Sequence, residues 1–402
     1  MSVNDSGIST KSAIADPDRL IRLWNNPQVR ALSYQILVVG GVILLIAYLA
    51  GNVIENREAR GIAGGFGFLE REAGFAINDT LIAYSPSDTY GTAFLVGVLN
   101  TLRVAALGII LATILGTIIG IARLSSNYLV ATLSSWYVEV TRNVPLLLQL
   151  FIWASVLRSS MPAPRDAFEP IPGFFISNRG VKIPVPEANP VWDWMLLAAA
   201  IGILAAWIFG RWAKRQQDET GKQLPTFWIG LGFVIGLPFL TWLIGGAPTA
   251  MDVPELRGFN FRGGTTMTPE FFALLLGLTI YTAGFIAEIV RSGILAVSYG
   301  QTEAAASLGL RPGLTLRLVV LPQALRVIIP PTTSQYLNLT KNSSLAVGIG
   351  YFDMVNIGNT TMNQTGQAVE AIAMFMAVYL TISLSISLFM NWYNRKIALV
   401  ER

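Results

Sequence analysis

The chain has 402 residues, 53% of them hydrophobic and 13% charged, with a net charge of +4. Soluble domains carry about a quarter charged residues, so this composition is that of an integral membrane protein. The absence of cysteine and histidine excludes disulfides, thiol chemistry, zinc sites of the usual kind and histidine acid–base catalysis; no catalytic or metal residue is assigned.

Residues 1–31 are polar and read as a tail, with a short interfacial segment at Leu20 to Trp24. The first apolar run starts too late for a cleavable signal. Residues 32–51 form a first span, since about twenty apolar residues cross a bilayer. Residues 52–90 are polar and read as an extramembrane segment. A second span covers 91–122, with Arg123 at its end, and a third covers 129–157. Seven prolines in 158–192 exclude a helix and predict an irregular external loop. A short fourth span (193–210) has Trp192, Trp194 and Trp212 at its borders, an interfacial-belt pattern. The fifth (226–245) contains Pro238, which predicts a kink. Spans six to eight cover 270–292, 323–350 and 366–392, leaving 351–365 as a short outer loop.

Eight crossings put both termini on one side, and the positive-inside rule chooses the cytoplasm. That side then receives Arg123, Arg211, Lys214, Arg215, Lys222, Arg311, Arg317, Arg395 and Lys396. Arg158, Arg165, Arg179 and Lys182 fall on the outer side, against the rule; of these only Arg158 is close to a span end.

Between the sixth and seventh spans lies a polar patterned segment, 298–322. Thr302 is placed to cap a short helix over Glu303 to Leu308, and the alanines favour helix. Gly309 suits a left-handed residue that ends it. Pro312 suits the first turn of a second helix, which Pro322 should stop. Glu303-Ala304-Ala305, Gly309 and Leu321-Pro322 together resemble the EAA loop of bacterial ABC-importer permeases. Tyr137 to Leu150, Ala287 to Ile294 and Leu321 to Arg326 resemble the polar amino-acid branch of that family, and the extension and insertion resemble the larger permease of general L-amino-acid systems. The likeness covers roughly 91–158 and 270–392.

The resemblance implies an all-α membrane fold: a type 1 permease domain over 91–392, built on a five-helix core (spans two, three, six, seven and eight). One N-terminal helix and a two-helix insertion at about 158–268 are additional, and 393–402 is a cytoplasmic tail. It also implies ATP-driven uptake across the bacterial inner membrane. The partners would be a second permease, an ABC ATPase dimer and a periplasmic amino-acid-binding protein. ATP and Mg would sit on the ATPase, with no cofactor on this chain. Its own Gly221-Lys222 pair is followed by Gln223 and has Gln216 where a phosphate-binding loop needs glycine. The coupling residues carried over are Glu303, Ala304, Ala305, Gly309, Leu321 and Pro322.

Polar residues inside spans are pathway candidates, because burying them in lipid is expensive. Lys341, Asn338, Asn342 and Ser343 lie on a seventh span that Pro330-Pro331 should interrupt. Asn143 and Gln149 on the third span, with Asn100, Thr101 and Arg103 on the second, add candidate lining, or serve as helix–helix glue. Glu139 with Arg142, and Glu288 with Arg291, each three residues apart, are candidate gate charges or plain intrahelical ion pairs. Gly108, Gly116 and Gly120 read as packing residues. A rival reading is a secondary transporter or channel driven by an ion gradient; the EAA loop, useless without an ATPase, separates the two.

Overall fold

The computed structural model describes residues 26–59, 61 and 64–397. The tail with its interfacial segment at Leu20 to Trp24 lies outside the described residues, as do the last five positions. The chain divides into two units, Met1–Gly67 and Phe68–Arg402. The first holds helix α1 (Pro27–Ala59), a continuous apolar helix longer than the expected span.

The second unit opens with a segment leading to α2 (Tyr90–Ala122). There follow α3 (Tyr128–Asn143), α4 (Leu146–Ser159), four short strands, α5 (Val191–Thr220), α6 (Thr226–Ile244) and four more strands. After them come α7 (Pro269–Leu295), α8 (Tyr299–Ser307), α9 (Pro312–Thr315), α10 (Leu321–Asn342), α11 (Met354–Thr365) and α12 (Ala368–Ile397). Among the described residues seven helices are long and apolar enough to cross a membrane, or eight if α3 and α4 make one span.

That third span differs from expectation. α3 and α4 meet at a bend of 105°. Pro145 carries no N–H and pushes Val144 out of the helical region, to φ −91°, ψ 125°. The bend strands carbonyls, and Gln149 satisfies two of them: its Nε2 donates to the Thr141 and Val144 carbonyls, each at 2.9 Å. Gln149 is buried and belongs to the bend, not to a lining surface.

The proline-rich stretch is not irregular. β1 (Phe168–Ile171), β2 (Phe174–Ser177) and β3 (Gly180–Ile183) form an antiparallel sheet, joined by β8 (Thr265–Met267) in the order β1-β2-β3-β8. β4 (Val185–Pro186) pairs with β5 (Met251–Asp252), and β6 (Glu255–Arg257) with β7 (Asn260–Arg262). Proline excludes helix but is tolerated on edge strands, which is where Pro170 and Pro186 stand. The β3–β8 register, Val181 opposite Met267, stitches the two flanks of the α5–α6 hairpin together. The inserted helices thus leave and re-enter the chain at one place. α5 also runs ten residues past its expected end, to Thr220, and Gly221 at φ +71° closes it.

The main core lies where α2, α4, α7 and α10 meet, around Val104, Leu150, Leu274, Leu278, Ile286 and Leu339. α2 lies directly on α7 because Gly116 and Gly120 bring the backbones together. A Cβ at Gly116 would stand 2.7 Å from Ile286 Cβ, and one at Gly120 2.6 Å from the Ala287 carbonyl. A second core joins Phe68, Phe94, Met354 and Ile357, holding the segment before α2 against α11 and α12. The expected outer loop at 351–365 is largely α11, capped by Asp353, whose Oδ1 accepts from Asn356 N at 2.8 Å.

These glycines predict a contrast of sign. Gly120→Ala forces a methyl against a backbone oxygen and should cost about 1–3 kcal/mol. Gly210→Ala, in α5 with open space around it, should gain about 0.5–1 kcal/mol from helix propensity alone. Thermal unfolding in detergent should lower the midpoint for the first and hold or raise it for the second.

Candidate functional site

The coupling segment is built from its own short-range bonds. α8 begins at Tyr299, three residues before the expected cap, so Thr302 lies inside it and Ser298 stands at the N-cap without a side-chain bond. Its end is as the residues dictate. Gly309 has φ +76°, Gly309 N donates to the Ala306 carbonyl at 2.9 Å, and Leu310 N donates to the Ala305 carbonyl at 3.1 Å. This six-to-one and five-to-two pairing is a Schellman cap, which needs a residue that tolerates positive φ. Ala305 is buried and seats the helix, while Glu303 and Ala304 face outward. So do Tyr299, 74% exposed, and Leu308, 81% exposed. The motif does not mark those two; only the direction of their side chains does.

α9 starts at Pro312 as expected, but Pro322 does not stop the helix. A π turn over Leu316–Val320 carries the chain from α9 into α10, and Leu321 N donates to the Leu316 carbonyl five residues back. The shifted register absorbs the N–H that Pro322 lacks, so Pro322 falls in the first turn of α10, where proline is tolerated. Gln323 Nε2 donates to Gln301 Oε1 at 3.4 Å and to the Val319 carbonyl at 3.1 Å, tying α10 to α8.

α10 also runs unbroken through Pro330 and Pro331. A proline inside a helix costs about 3 kcal/mol in water, but in a packed membrane helix its neighbours re-satisfy the backbone. The carbonyls that Pro330 and Pro331 leave without an i+4 N–H are those of Arg326 and Val327; the Thr332 and Thr333 hydroxyls add bonds one turn further on, to the Ile328 and Ile329 carbonyls at 2.7 and 3.1 Å, and Ile328 and Ile329 are buried. The change of conformation comes later, where α10 tightens into a 3-10 segment at Ser343–Ile349. Lys341 is therefore roughly 30 Å of continuous helix from Leu321. Ser334, Asn338 and Lys341, spaced four and three residues apart, are all exposed and share one face. Asn342 is half-buried. Ser343 turns inward: it is fully buried and its hydroxyl donates to the Thr340 carbonyl at 2.7 Å.

The candidate gate charges divide. Glu288 and Arg291 pair at 2.8 Å, and Arg123 from the end of α2 reaches the second oxygen of the same carboxylate. Arg123 Nε also donates to Ser135 Oγ at 3.3 Å. One carboxylate on α7 thus gathers cations from two helices, a link across 165 positions that spacing does not reveal. Glu139 and Arg142 form no ion pair with one another; both are exposed, and the Arg142 guanidinium lies over the Phe285 ring at 5.0 Å. A cation held on an aromatic face is drawn away from its neighbour on the helix. Asn143 is exposed beside the α3–α4 bend.

The polar residues of α2 serve a buried network, not a lining. Asp79 is 2% exposed and pairs with Arg103 at 2.8 Å. Its Oδ2 accepts from Thr268 Oγ1 at 3.0 Å, at the start of α7. Asn100 Nδ2 donates to the Asp79 and Phe352 carbonyls at 2.7 and 2.9 Å, and Thr101 Oγ1 accepts from Met354 N at 3.2 Å. This end of the molecule, opposite α8 along α7, is a polar knot joining the segment before α2, α7 and α11. Asp353 completes it. It is wholly buried, and its Oδ2 has no hydrogen-bond partner although the Tyr379 hydroxyl is a neighbour. Burial pushes its carboxyl up from 3.8 to about 7, against the opposing pull of the Asn356 amide.

Residues 219–399 match the family described as "Binding-protein-dependent transport system inner membrane component". YhdX of Escherichia coli (strain K12) is 52% identical over 378 residues, covering 94% of this chain and 96% of its own length. The general L-amino acid transport system permease protein AapQ of Rhizobium johnstonii is 46% identical over 400 residues, covering 100% of this chain and 98% of its own length. The glutamate/glutamine/aspartate/asparagine transport system permease protein BztB of Rhodobacter capsulatus is 44% identical over 416 residues, covering 96% and 97%. The chain belongs to the family of inner-membrane components of binding-protein-dependent transport systems.

Asp353 generates a pH prediction. The folded protein holds this proton more tightly than the unfolded chain, whose carboxyl titrates near 3.8. The folded state therefore binds more protons between those two values, and stability falls as pH rises from about 4 to about 7, by at most about 1.4 kcal/mol per unit, then levels. Asp353→Asn stays neutral and keeps the cap acceptor. Thermal unfolding across that range should show a slope in the parent that the variant lacks.

Proposed function

We propose that this chain is one of two membrane subunits of an ATP-driven importer for polar L-amino acids of broad specificity, in the bacterial inner membrane with both termini cytoplasmic. Its partners are a second, similar permease, two copies of an ABC ATPase that hold ATP and Mg, and a periplasmic binding protein. The observation that carries the reading is α8. It is a short helix with one buried anchor, Ala305, and three outward side chains, Tyr299, Glu303 and Leu308, set between two membrane helices and bonded to α10. Such a knob has no use to a transporter driven by an ion gradient, and is what a separate ATPase needs to move α7 and α10 together. The substrate class is supported by relatives named for general L-amino acids and for glutamate, glutamine, aspartate and asparagine, which match nearly the whole chain.

Affinity purification in mild detergent tests the assembly: an ATPase subunit and a second permease should co-purify. Uptake at the parental rate without any ATPase would favour the ion-gradient reading. Gly309→Val places a branched residue at positive φ, at a cost of about 1–2 kcal/mol. That variant and Glu303→Ala should reach the membrane yet bind the ATPase roughly tenfold more weakly, equivalent to ~1.4 kcal/mol. Retained affinity in both, measured by titrating the ATPase onto purified permease, would remove α8 from this role.

The polar face of α10 is the proposed substrate path. Lys341 is the one lysine in the predicted spans, and in this chain it is exposed, beside Asn338 and in line with Ser334. Its ammonium meets the α-carboxylate that every amino acid shares, which suits broad specificity. Glu288, held between Arg123 and Arg291, is the proposed inner gate charge. Lys341→Met keeps most of the apolar stem and removes the charge. A hydrogen bond to a charged group contributes about 1.5–3 kcal/mol, so uptake of acidic, neutral and basic amino acids should fall together by roughly ten- to a hundredfold, with ATPase assembly intact. Loss of a single class would place the lysine beside the substrate side chain instead.

A further inference from the structure

The inserted hairpin of α5 and α6 carries its cations at one end. The two helices pack chiefly on each other, and Gly202 lets them close: a Cβ there would stand 2.4 Å from the Phe233 carbonyl. Their outer surfaces are apolar and exposed, with Leu196, Ile203 and Leu204 on α5 and Ile235 and Phe239 on α6, as in helices bathed in lipid. Gly202 faces Phe233 and Gly230 faces Ala206, which sets the start of α6, Thr226, level with Gly210. α5 runs on to Thr220, so it overhangs α6 by about 15 Å. Trp207, Trp212, Phe227 and Trp228 are all exposed around the start of this overhang, and such aromatic belts mark the membrane–water interface.

Arg211, Lys214 and Arg215 fill the first turns of the overhang. Their spacing of three and four puts them on one face with Trp207, and all three are exposed. The Arg211 guanidinium lies over the Trp207 ring at 4.3 Å, turned back toward the membrane. Among the described residues none of the three takes part in an ion pair. The acids of the overhang, Asp218 and Glu219, stand about one turn further out, and both are exposed. Ala213, on the opposite side of α5, is buried. A positive-inside bias counts cations near a span end and is indifferent to the face they occupy. Here they are gathered on one open face, at the level of the aromatic belt, with the acids beyond them.

We propose that this face docks the headgroup of an anionic phospholipid. The inference goes beyond the transport role and needs only that α5 and α6 cross a bilayer. The Arg211 guanidinium presents paired N–H donors to the phosphate oxygens, and Lys214 and Arg215 flank it as further charges. The acyl chains lie along the apolar outer side of the hairpin. The β3–β8 register fixes the hairpin at its outer end; the headgroup fixes the inner end, so a pair of helices that packs chiefly on itself is held at both.

The test uses the full-length permease purified in a neutral detergent, with phosphatidylglycerol and phosphatidylcholine of identical chains added in equal amounts. Native mass spectrometry counts the lipid retained. Phosphatidylglycerol should be retained roughly tenfold better. Lys214→Gln and Arg215→Gln combined with Gln216→Arg and Gln217→Lys move two cations off the face and keep the charge that insertion needs. This variant should reach the membrane with an unchanged unfolding midpoint, and its preference should fall to roughly twofold. Lys222→Gln, in the loop after α5, should keep the full preference. Equal retention of the two lipids by the parent overturns the assignment and needs no variant. A full preference in the rearranged variant overturns it as well, because the number of charges and not their face would then select the lipid. So does a loss with Lys222→Gln as large as with the rearranged variant.

Discussion

A backbone carbonyl or amide without a partner costs several kcal/mol in hydrocarbon, and this one constraint decides how every irregular point of the chain is built. At the α3–α4 bend the stranded carbonyls are taken by Gln149. Through Pro330-Pro331 the helix runs on inside a packed bundle. Ahead of Pro322 the helix changes register in a π turn. After Asn342 it tightens to a 3-10 segment that ends at Gly350 with φ +81°. Gln149 shows that a polar residue inside a span can be there for backbone repair. Only what remains exposed after that repair is available to a substrate.

By that criterion the polar residues sort into two groups. Gln149, Thr332, Thr333 and Ser343 are consumed by carbonyls. Asn100, Thr101 and Arg103 are consumed by the knot around Asp79 and Met354. Ser334, Asn338 and Lys341 keep exposed groups, and all lie on one face of α10. A path for a small zwitterion needs such unsatisfied, accessible groups in sequence along one face.

Rigidity links this face to α8. α2 rests on α7 through glycines, α7 enters α8 within a few residues, and α8 is bonded to α10 through Gln301 and Gln323. A displacement of α8 therefore moves helices that are already in backbone contact, because packed cores shift between arrangements and do not deform smoothly. The polar knot at the far end holds α2, α7 and α11 together, so the two ends of α7 are constrained independently. The β-sheet formed by the flanks of α5 and α6 closes the insertion on itself, which lets two extra helices be added without breaking the order of the core.

The apolar spans other than the third, the capping glycine at 309, the start of α9 at Pro312 and the family likeness were legible in the sequence. Hydropathy over twenty residues and positive-φ demands are local properties, read from neighbours in the chain. Breaks were misplaced because proline marks a missing N–H but not whether a turn can absorb it. At Pro145 nothing upstream could, and the span bent by 105°. At Pro322 a π turn could, and the helix ran on, as it also does through Pro330 and Pro331. The prolines of 158–192 excluded helix correctly, but strand pairing with Thr265–Met267 depends on a partner about eighty residues away. Arg123 meeting Glu288, and Arg158 meeting Glu270, are likewise contacts between distant segments. Local chemistry states which residues need partners; only the tertiary structure decides which partners they find, because that depends on which helix ends are brought side by side.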